Sequence, residues 1–288
     1  MSAHDVKAPA WFQWALQQPV QSRKVRAGGI DLHILGWSLD ATERPPLLLV
    51  HGHRAHAHWW DHVAPFLATT HRVIAMDLSG MGDSDRRTVY PPGVGGQDIV
   101  DLVRALGLGP LTVVGHSNGG LRTMAACAIA PELFQRVIAI DSYAVFKGGN
   151  HPTEPVGLRG DRIYPDLATA MSRYRLLPDQ PVVEPWVRDH VARHSLREVP
   201  GGWTWKFDPL MPSGLQQEAD ADGLLAAVQC PVHYVYGAES AIVSEPLAQR
   251  VVRTLPQGHG PIAIPGGHHH LMFDQPVALI ATLRALLA

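Results

Sequence analysis

A serine between glycines, Ser117, has the sequence setting that most clearly indicates chemistry. It lies in the motif GHSNGG at 115–120, after the apolar segment LTVV and before the helical segment LRTMAACAIA. A serine at such a strand-to-helix turn presents its hydroxyl to solvent or substrate. The start of the helix adds free N–H groups and a partial positive charge beside it. The motif therefore predicts a nucleophilic serine, which needs a histidine within hydrogen-bond reach as its base.

The segments that must position this serine alternate between strands and helices. This alternation predicts a mostly parallel central sheet with helices on both faces, and continuous apolar runs such as PLLLV are typical of strands buried on both sides. The predicted strands are 22–27, 30–37, 46–50, 71–77, 111–115, 136–141, 232–237 and 261–265. The predicted helices are 59–69, 97–106, 118–130, 215–228, 245–255 and 271–287.

The alternation fails between the sixth and seventh predicted strands. This region contains many prolines and arginines, helical segments at 166–176 and 185–195, and no strong strand. We expect a helical cap insertion at 144–213, with the core formed by 1–143 and 214–288. A cap in this position lies over the carboxyl end of the sheet, where open α/β sheets bind their ligands.

Several motifs in this order resemble the α/β-hydrolase superfamily over nearly the whole chain. His51-Gly52 follows PLLLV, DLSGMGDSD follows the next strand at 77–85, and His269 precedes Asp274 and Pro276. The chain looks particularly like bacterial capped esterases and lactonases, with HGHRAHAHWWD at 51–61 and WTWKFDP at 203–209. The resemblance implies an α/β-hydrolase fold and serine-dependent hydrolysis.

The resemblance also implies the base and the oxyanion donors. The family's histidine stands five residues before an acid and seven before a proline, which selects His269 from three adjacent histidines. Because His268 stands where the family usually has glycine, a shift of one position is the alternative. The two N–H groups that stabilise a developing oxyanion are expected from His53 and Asn118.

The acid of the triad has two candidates. The family usually places an aspartate after the strand at 232–237, but this chain has Ser240 at that position. Asp141, 24 residues after Ser117, ends the strand at 136–141, where haloalkane dehalogenases and some cofactor-independent dioxygenases carry their acid. Glu239 is the alternative, because its longer side chain could reach the histidine. We prefer Asp141.

Other polar and aromatic residues suggest weaker assignments. Arg54, Trp203 and Trp205 are predicted to bind substrate. Four histidines lie close together in the sequence and could suggest a metal site. However, no acid or cysteine accompanies them at a spacing typical of zinc ligands. These histidines are His53, His56, His58 and His62. We therefore predict no metal and no cofactor.

Composition excludes several classes of partner. A net charge of −2 and a pI of about 6.8 do not suggest binding to nucleic acid or to an anionic membrane. A membrane span needs about 18 apolar residues, and no apolar run approaches that length. Because no signal peptide is recognisable either, we expect a cytoplasmic protein.

Trp11, Trp14 and Leu16 predict a short amphipathic helix packed on the body, with a homodimer contact as the alternative.

These patterns predict an enzyme that hydrolyses small-molecule carboxylic esters or lactones. Two alternatives remain: a cofactor-independent dioxygenase in which His269 deprotonates a heteroaromatic substrate, and a non-catalytic ligand receptor. Epoxide hydrolases and haloalkane dehalogenases are disfavoured, because their nucleophile is an aspartate and position 117 is serine.

Overall fold

An eight-stranded sheet forms the centre of the molecule. The computed structural model describes residues 7–146, 162–181, 183–211 and 221–288. The strands are β1 (Gln21–Ala27), β2 (Ile30–Trp37), β3 (Pro46–Val50), β4 (Arg72–Met76), β5 (Leu111–His116), β6 (Phe134–Ile140), β7 (Leu196–Val199), β8 (Gly202–Trp205), β9 (Val232–Gly237) and β10 (Gly258–Ile264). Strands β7 and β8 pair with each other in a separate sheet. The other eight strands form the central sheet in the order β1-β2-β4-β3-β5-β6-β9-β10. Strand β2 runs antiparallel to both neighbours, and the pairs from β4 to β10 are parallel, which confirms the predicted mostly parallel sheet.

Two hydrophobic clusters cover the two faces of this sheet. Leu48 and Val50 of β3 belong to one cluster, and Leu47 and Leu49 belong to the other, because successive side chains of a strand point to opposite faces. The helices are α1 (Ala10–Leu16), α2 (Ala64–Leu67), α3 (Val94–Ala105), α4 (Asn118–Ile129), α5 (Leu167–Met171), α6 (Pro185–His194), α7 (Ala221–Ala226), α8 (Glu245–Thr254), α9 (Leu271–Asp274) and α10 (Pro276–Leu287). The first cluster packs residues of α3, α4, α7 and α8, and the second packs residues of α1, α2 and α10. Helices therefore cover both faces, as predicted.

Proline interrupts two of the predicted helices. The predicted helix at 59–69 is wrong: a 3₁₀ helix at Ala57–Trp60 is followed by the short α2, which contains Pro65. The predicted helix at 271–287 is divided into α9 and α10 before Pro276. Because proline has no N–H to donate to the preceding turn, a continuous helix cannot form through either position. The predicted helix at 215–228 falls partly outside the described residues.

The predicted cap contains a hairpin that the sequence did not predict. Strands β7 and β8 pair antiparallel around a turn in which Gly201 and Gly202 have φ of 91° and 140°. Each strand has only four residues, the lower limit of the runs that predict a strand, and the run LREV has two adjacent charged residues instead of an apolar alternation. Helix α5 is also shorter than the predicted segment at 166–176. The division into core and cap at 144–213 stays a prediction.

The segment that follows the hairpin packs against the core. Lys206 forms an ion pair with Asp83 at 2.6 Å, and the Tyr90 hydroxyl donates to Asp208 at 2.8 Å. The backbone N–H of Asp208 donates to the carbonyl of Gly80 at 2.7 Å. The motif WTWKFDP therefore joins the predicted cap to the loop that follows β4.

The amino-terminal helix α1 packs against α2 and α6. Trp11 contacts Phe66 and Trp186, with ring centroids 6.2 Å and 5.6 Å away. Trp14 and Leu16 stay exposed at one side, so only part of the predicted apolar face is covered in the monomer. In the described part of the chain, no helix combines the length and the apolar character that crossing a bilayer requires.

Asp77, directly after β4, holds together the loops that contain Ala57 and Asp83. Its carboxylate accepts hydrogen bonds from the backbone N–H groups of Ala57 and Asp83 and from the His33 ring, at 2.6, 2.9 and 2.7 Å. Burial alone would raise the pKa of Asp77, but the His33 hydrogen bond and the nearby His51 outweigh burial and hold it well below its usual range. The stability this carboxylate contributes is therefore present above its unfolded pKa of about 4 and falls as the pH drops below it.

Asp77→Ala is expected to lower the free energy of unfolding by about 3–5 kcal/mol, because it leaves two buried donors and one partly buried donor without an acceptor. Denaturant unfolding followed by circular dichroism measures the change. Glu132→Ala is the control, since Glu132 pairs with Arg104 on the surface, where the two side chains are 62% and 55% exposed. The control should cost no more than about 1 kcal/mol. Equal losses in the two variants would contradict the role given to Asp77.

Candidate active site

Ser117 lies on a sharp turn between β5 and α4. Its φ and ψ are 55° and −126°, a backbone conformation that costs a non-glycine residue about 1–3 kcal/mol. The turn packs tightly: a Cβ on Gly119 would lie 2.3 Å from the carbonyl oxygen of His51, and one on Gly115 would lie 2.6 Å from that of Gly119. Glycine is therefore required at both positions of the GHSNGG motif.

His269, between β10 and α9, lies beside this serine. Its Nε2 atom is 3.0 Å from the Ser117 hydroxyl, and its ring is buried. The neighbouring His268 instead bonds Asp274 through Nδ1 at 2.8 Å. The structure thus brings His269 to the serine, in the register that the spacing to Asp274 and Pro276 indicated.

Asp141, directly after β6, accepts a hydrogen bond from the other ring nitrogen of His269. The Nδ1 atom of His269 is 2.7 Å from its Oδ1 atom, and Gly237 donates a backbone N–H to its Oδ2 atom at 2.8 Å. Asp141 has a φ of 45°, so its backbone is also held in an uncommon conformation. The side chain of Glu239 is exposed, and the structure brings Asp141 to His269 instead.

Ser240 makes a contact with Asp141 that the motifs did not predict. Its hydroxyl donates to Asp141 Oδ1 at 2.7 Å and accepts the N–H groups of Ile242 and Val243 at 3.2 and 3.0 Å. These two donors orient the hydroxyl proton towards the carboxylate. The sequence did carry a signal for this contact, a serine where the family usually has its acid. In the structure that serine bonds Asp141, which follows the neighbouring strand β6.

Two further histidines surround His269 and remain neutral. His116 donates from Nε2 to the carbonyl oxygen of His269 at 2.9 Å, and its ring centroid lies 5.0 Å from that of His269. Burial lowers the pKa of His116 to about 3 and holds the pKa of His270 well below its usual range. Burial disfavours the charged form of both rings, so His116 and His270 are neutral at neutral pH.

The backbone around Gly52 and Asn118 adjoins the serine. A Cβ on Gly52 would lie 3.2 Å from the Cβ of Ser117, so the chain that leads to His53 passes against Ser117. Asn118 is the first residue of α4, where N–H groups have no acceptor within the helix. His51 bonds Gly52 and Leu78 through its ring, which ties this loop to the core.

The family model described as the alpha/beta hydrolase family matches residues 47–282. The chain belongs to the alpha/beta hydrolase family. It is 28% identical over 282 residues to the esterase Rv0045c of Mycobacterium tuberculosis. The aligned region covers 92% of this chain and 88% of the relative. It is 24% identical over 274 residues to the 2-hydroxy-6-oxo-6-(2'-aminophenyl)hexa-2,4-dienoic acid hydrolase of Metapseudomonas resinovorans, covering 88% and 86% of the two chains.

A solved structure agrees with this assignment. The crystal structure of the esterase Rv0045c has a TM-score of 0.76 at 24% identity and covers 96% of this chain and 95% of that one. At this identity the likeness shows the fold. Together with the relatives named esterase and hydrolase, the family assignment supports hydrolase activity.

The residues predicted to bind substrate in this alpha/beta hydrolase have other contacts. The Arg54 guanidinium lies 5.1 Å from the ring centroid of Phe207. Trp205 packs against Tyr164 and Tyr174, with centroids 6.0 and 6.4 Å away, and Trp203 pairs its backbone with Tyr164. Substrate binding by these residues stays a prediction.

The four histidines considered as metal ligands do not form one group. His56 bonds the Ser195 hydroxyl and His62 bonds the carbonyl of Met272, both at 2.8 Å. The interpretation that no acid joins them is wrong for His58, because Asp61 lies 2.8 Å from its Nδ1 atom. Three groups of described residues could hold a metal ion: His58, Asp61, His190 and His194; His116, His269 and His270; and His33, Asp77 and Asp83.

Proposed function

We propose that this alpha/beta hydrolase is a serine hydrolase that cleaves small-molecule carboxylic esters or lactones through an acyl-enzyme on Ser117. The observation that carries the proposal is the unbroken chain of hydrogen bonds from Ser117 through His269 to Asp141. A nucleophile, a base and an orienting acid in this geometry define the triad whatever their order in the sequence. The relative named an esterase, 28% identical over 92% of this chain, supports the same reaction class.

In the first half of the reaction, the Ser117 hydroxyl attacks the ester carbonyl while His269 Nε2 takes its proton. The carbonyl oxygen becomes an oxyanion, and the N–H groups of His53 and Asn118 are the proposed donors that stabilise it. As the bond to the leaving group breaks, His269 returns the proton to the departing alkoxide. The products are an alcohol and an acyl group bound to Ser117.

The second half repeats these steps with water. His269 takes a proton from water, the resulting hydroxide attacks the acyl carbonyl, and the proton passes to the Ser117 oxygen as the acid leaves. Asp141 stays ionised throughout, keeps the proton of neutral His269 on Nδ1 and stabilises the imidazolium that forms twice. The bonds from Ser240 and Gly237 hold the carboxylate in place for this role.

The proposed substrate contacts come from the loop after Gly52 and from the predicted cap. Arg54, Trp203 and Trp205 are partly exposed and are the proposed residues for binding the acyl or alcohol group. An aromatic surface at this place would favour apolar or aryl groups. The cytoplasmic location and the homodimer contact stay predictions.

Hydrolysis of a p-nitrophenyl ester series, with a simple lactone in parallel, tests the proposal. Wild-type protein should turn over at least one short-chain ester, and rapid mixing should give an initial burst of p-nitrophenol where deacylation is the slower step. An inert wild type would contradict the proposal. Oxygen uptake with heteroaromatic substrates would then indicate the dioxygenase alternative, and binding of a small ligand without turnover would indicate a receptor.

A further inference from the structure

Four side chains meet where helix α6 of the predicted cap lies against the 3₁₀ helix at Ala57–Trp60. They are termed the cap–core cluster, and its members are His58, Asp61, His190 and His194. Each member offers one nitrogen or oxygen atom, and these atoms all lie within 4.8 Å of one another. None of the four belongs to the proposed triad, so the reaction described above leaves the cluster unexplained.

The cluster combines two local pairs from distant parts of the chain. His190 and His194 are four residues apart on α6, a spacing that places both rings on one face of a helix. His58 and Asp61 are three residues apart at the end of a 3₁₀ helix, where residues at this spacing are aligned. Each pair presents its two ligand atoms in one direction, and the fold turns the two pairs towards each other.

Hydrogen bonds among the members leave part of the cluster unsatisfied. The Oδ2 atom of Asp61 is bonded by His58 Nδ1 at 2.8 Å and by His190 Nε2 at 2.7 Å. Its Oδ1 atom is buried and has no hydrogen-bond partner among the described residues. His194 contributes ring contacts, stacked on His58 at 3.9 Å and tilted against His190 at 4.6 Å. A cation at the centre would satisfy the carboxylate and use the third ring.

The donor set suits a particular class of ion. Three imidazole nitrogens and one carboxylate oxygen are ligands that Zn²⁺ prefers in a tetrahedral site, and bonds of about 2.0–2.1 Å separate such ligand atoms by about 3.4 Å. Small side-chain rotations bring atoms within 4.8 Å to that spacing. A neutral imidazole frees the nitrogen now donating to Asp61 by moving its proton to the other ring nitrogen. His58, His190 and Asp61 are 17%, 17% and 12% exposed, so solvent ions have access.

We propose that the cap–core cluster is a binding site for one divalent transition-metal ion of the Zn²⁺ class. The ion would connect α6 to the 3₁₀ helix at Ala57–Trp60, two segments more than a hundred residues apart in the sequence. Because the four ligands come together only in the folded chain, binding raises the stability of the folded state, and the gain grows with the logarithm of the metal concentration above the dissociation constant.

Isothermal titration of the metal-free full chain with Zn²⁺ tests the proposal, together with the thermal midpoint at increasing Zn²⁺. Wild type should bind one ion per chain and melt at a higher temperature with zinc. His190→Ala/His194→Ala should weaken binding by more than about 100-fold and abolish the shift in melting temperature. Alanine preserves the helix, and circular dichroism without metal verifies folding. Asp61→Asn, which keeps the side-chain shape, should also weaken binding.

A matched control removes two histidines that also stack but lie elsewhere. The rings of His233 and His259 are 4.8 Å apart with a 19° interplanar angle, the same angle as between His58 and His194. His233→Ala/His259→Ala should bind zinc as wild type does. Wild type that binds no Zn²⁺, or a His190→Ala/His194→Ala variant that binds it unchanged, would overturn the proposal. Loss of binding in His269→Ala would place the ion at the group of His116, His269 and His270 and would overturn it equally.

Discussion

Ser117→Ala is expected to lower kcat for ester hydrolysis by about 10⁶-fold, which corresponds to about 8 kcal/mol of lost transition-state stabilisation. Alanine has no oxygen to attack the carbonyl, so the covalent route through the acyl-enzyme is closed. Residual hydrolysis would come from water, helped by substrate binding and the proposed oxyanion donors. Initial rates with the best p-nitrophenyl ester measure the loss, at enzyme concentrations high enough to detect it.

The control for this substitution is Ser172→Ala, which removes an exposed hydroxyl that donates to Thr169. Its kcat should stay within about twofold of wild type, since surface substitutions of this kind have small effects. Ser117→Ala/His269→Ala should be no slower than Ser117→Ala alone, because residues that act as one unit are not additive. A Ser117→Ala variant that keeps more than a hundredth of the activity would exclude Ser117 as the nucleophile.

Asp141→Asn is expected to lower kcat by about 10³- to 10⁴-fold while the folded structure persists. The amide has the shape of the carboxylate but no charge, so it neither keeps the His269 proton on Nδ1 nor stabilises the imidazolium. The Ser240 hydroxyl and the Gly237 N–H now donate to this carboxylate and would meet an amide that can accept through only one atom. Steady-state kinetics on the same ester series measures the effect.

Glu239→Gln is the matched control, because it neutralises the other candidate acid in the same way. Its side chain is exposed, and its kcat should stay within about twofold of wild type. In Asp141→Asn/Ser240→Asp, a carboxylate next to the original position should recover part of the lost kcat, since the Ser240 hydroxyl lies 2.7 Å from Asp141 Oδ1. A larger loss in Glu239→Gln than in Asp141→Asn would reverse the assignment of the acid.

Local sequence patterns were sufficient for the parts of the fold that depend on near neighbours. All eight strands of the central sheet were predicted within a few residues of their observed bounds. For central strands such as β3, the reason is that a continuous apolar run between turns fits a strand buried on both faces. The predicted helices that failed crossed Pro65 or Pro276, where the apolar pattern continues but the missing N–H interrupts the helix. The β7–β8 hairpin was missed because its four-residue strands are at the lower limit for such runs and LREV lacks an apolar alternation.

The sheet, the turn that carries Ser117 and the family were predictable from the sequence, because each depends on residues that are adjacent in the chain or on spacings shared with relatives. Which of the two acids meets His269 could be chosen only from the folded chain. That choice depends on the sheet order β5-β6-β9-β10, which brings the ends of four strands together. There Ser117, Asp141, Ser240 and His269 meet across as many as 152 residues of sequence. The same reason explains the cap–core cluster, since its two pairs are ordinary in sequence and become a group only where α6 packs on the core.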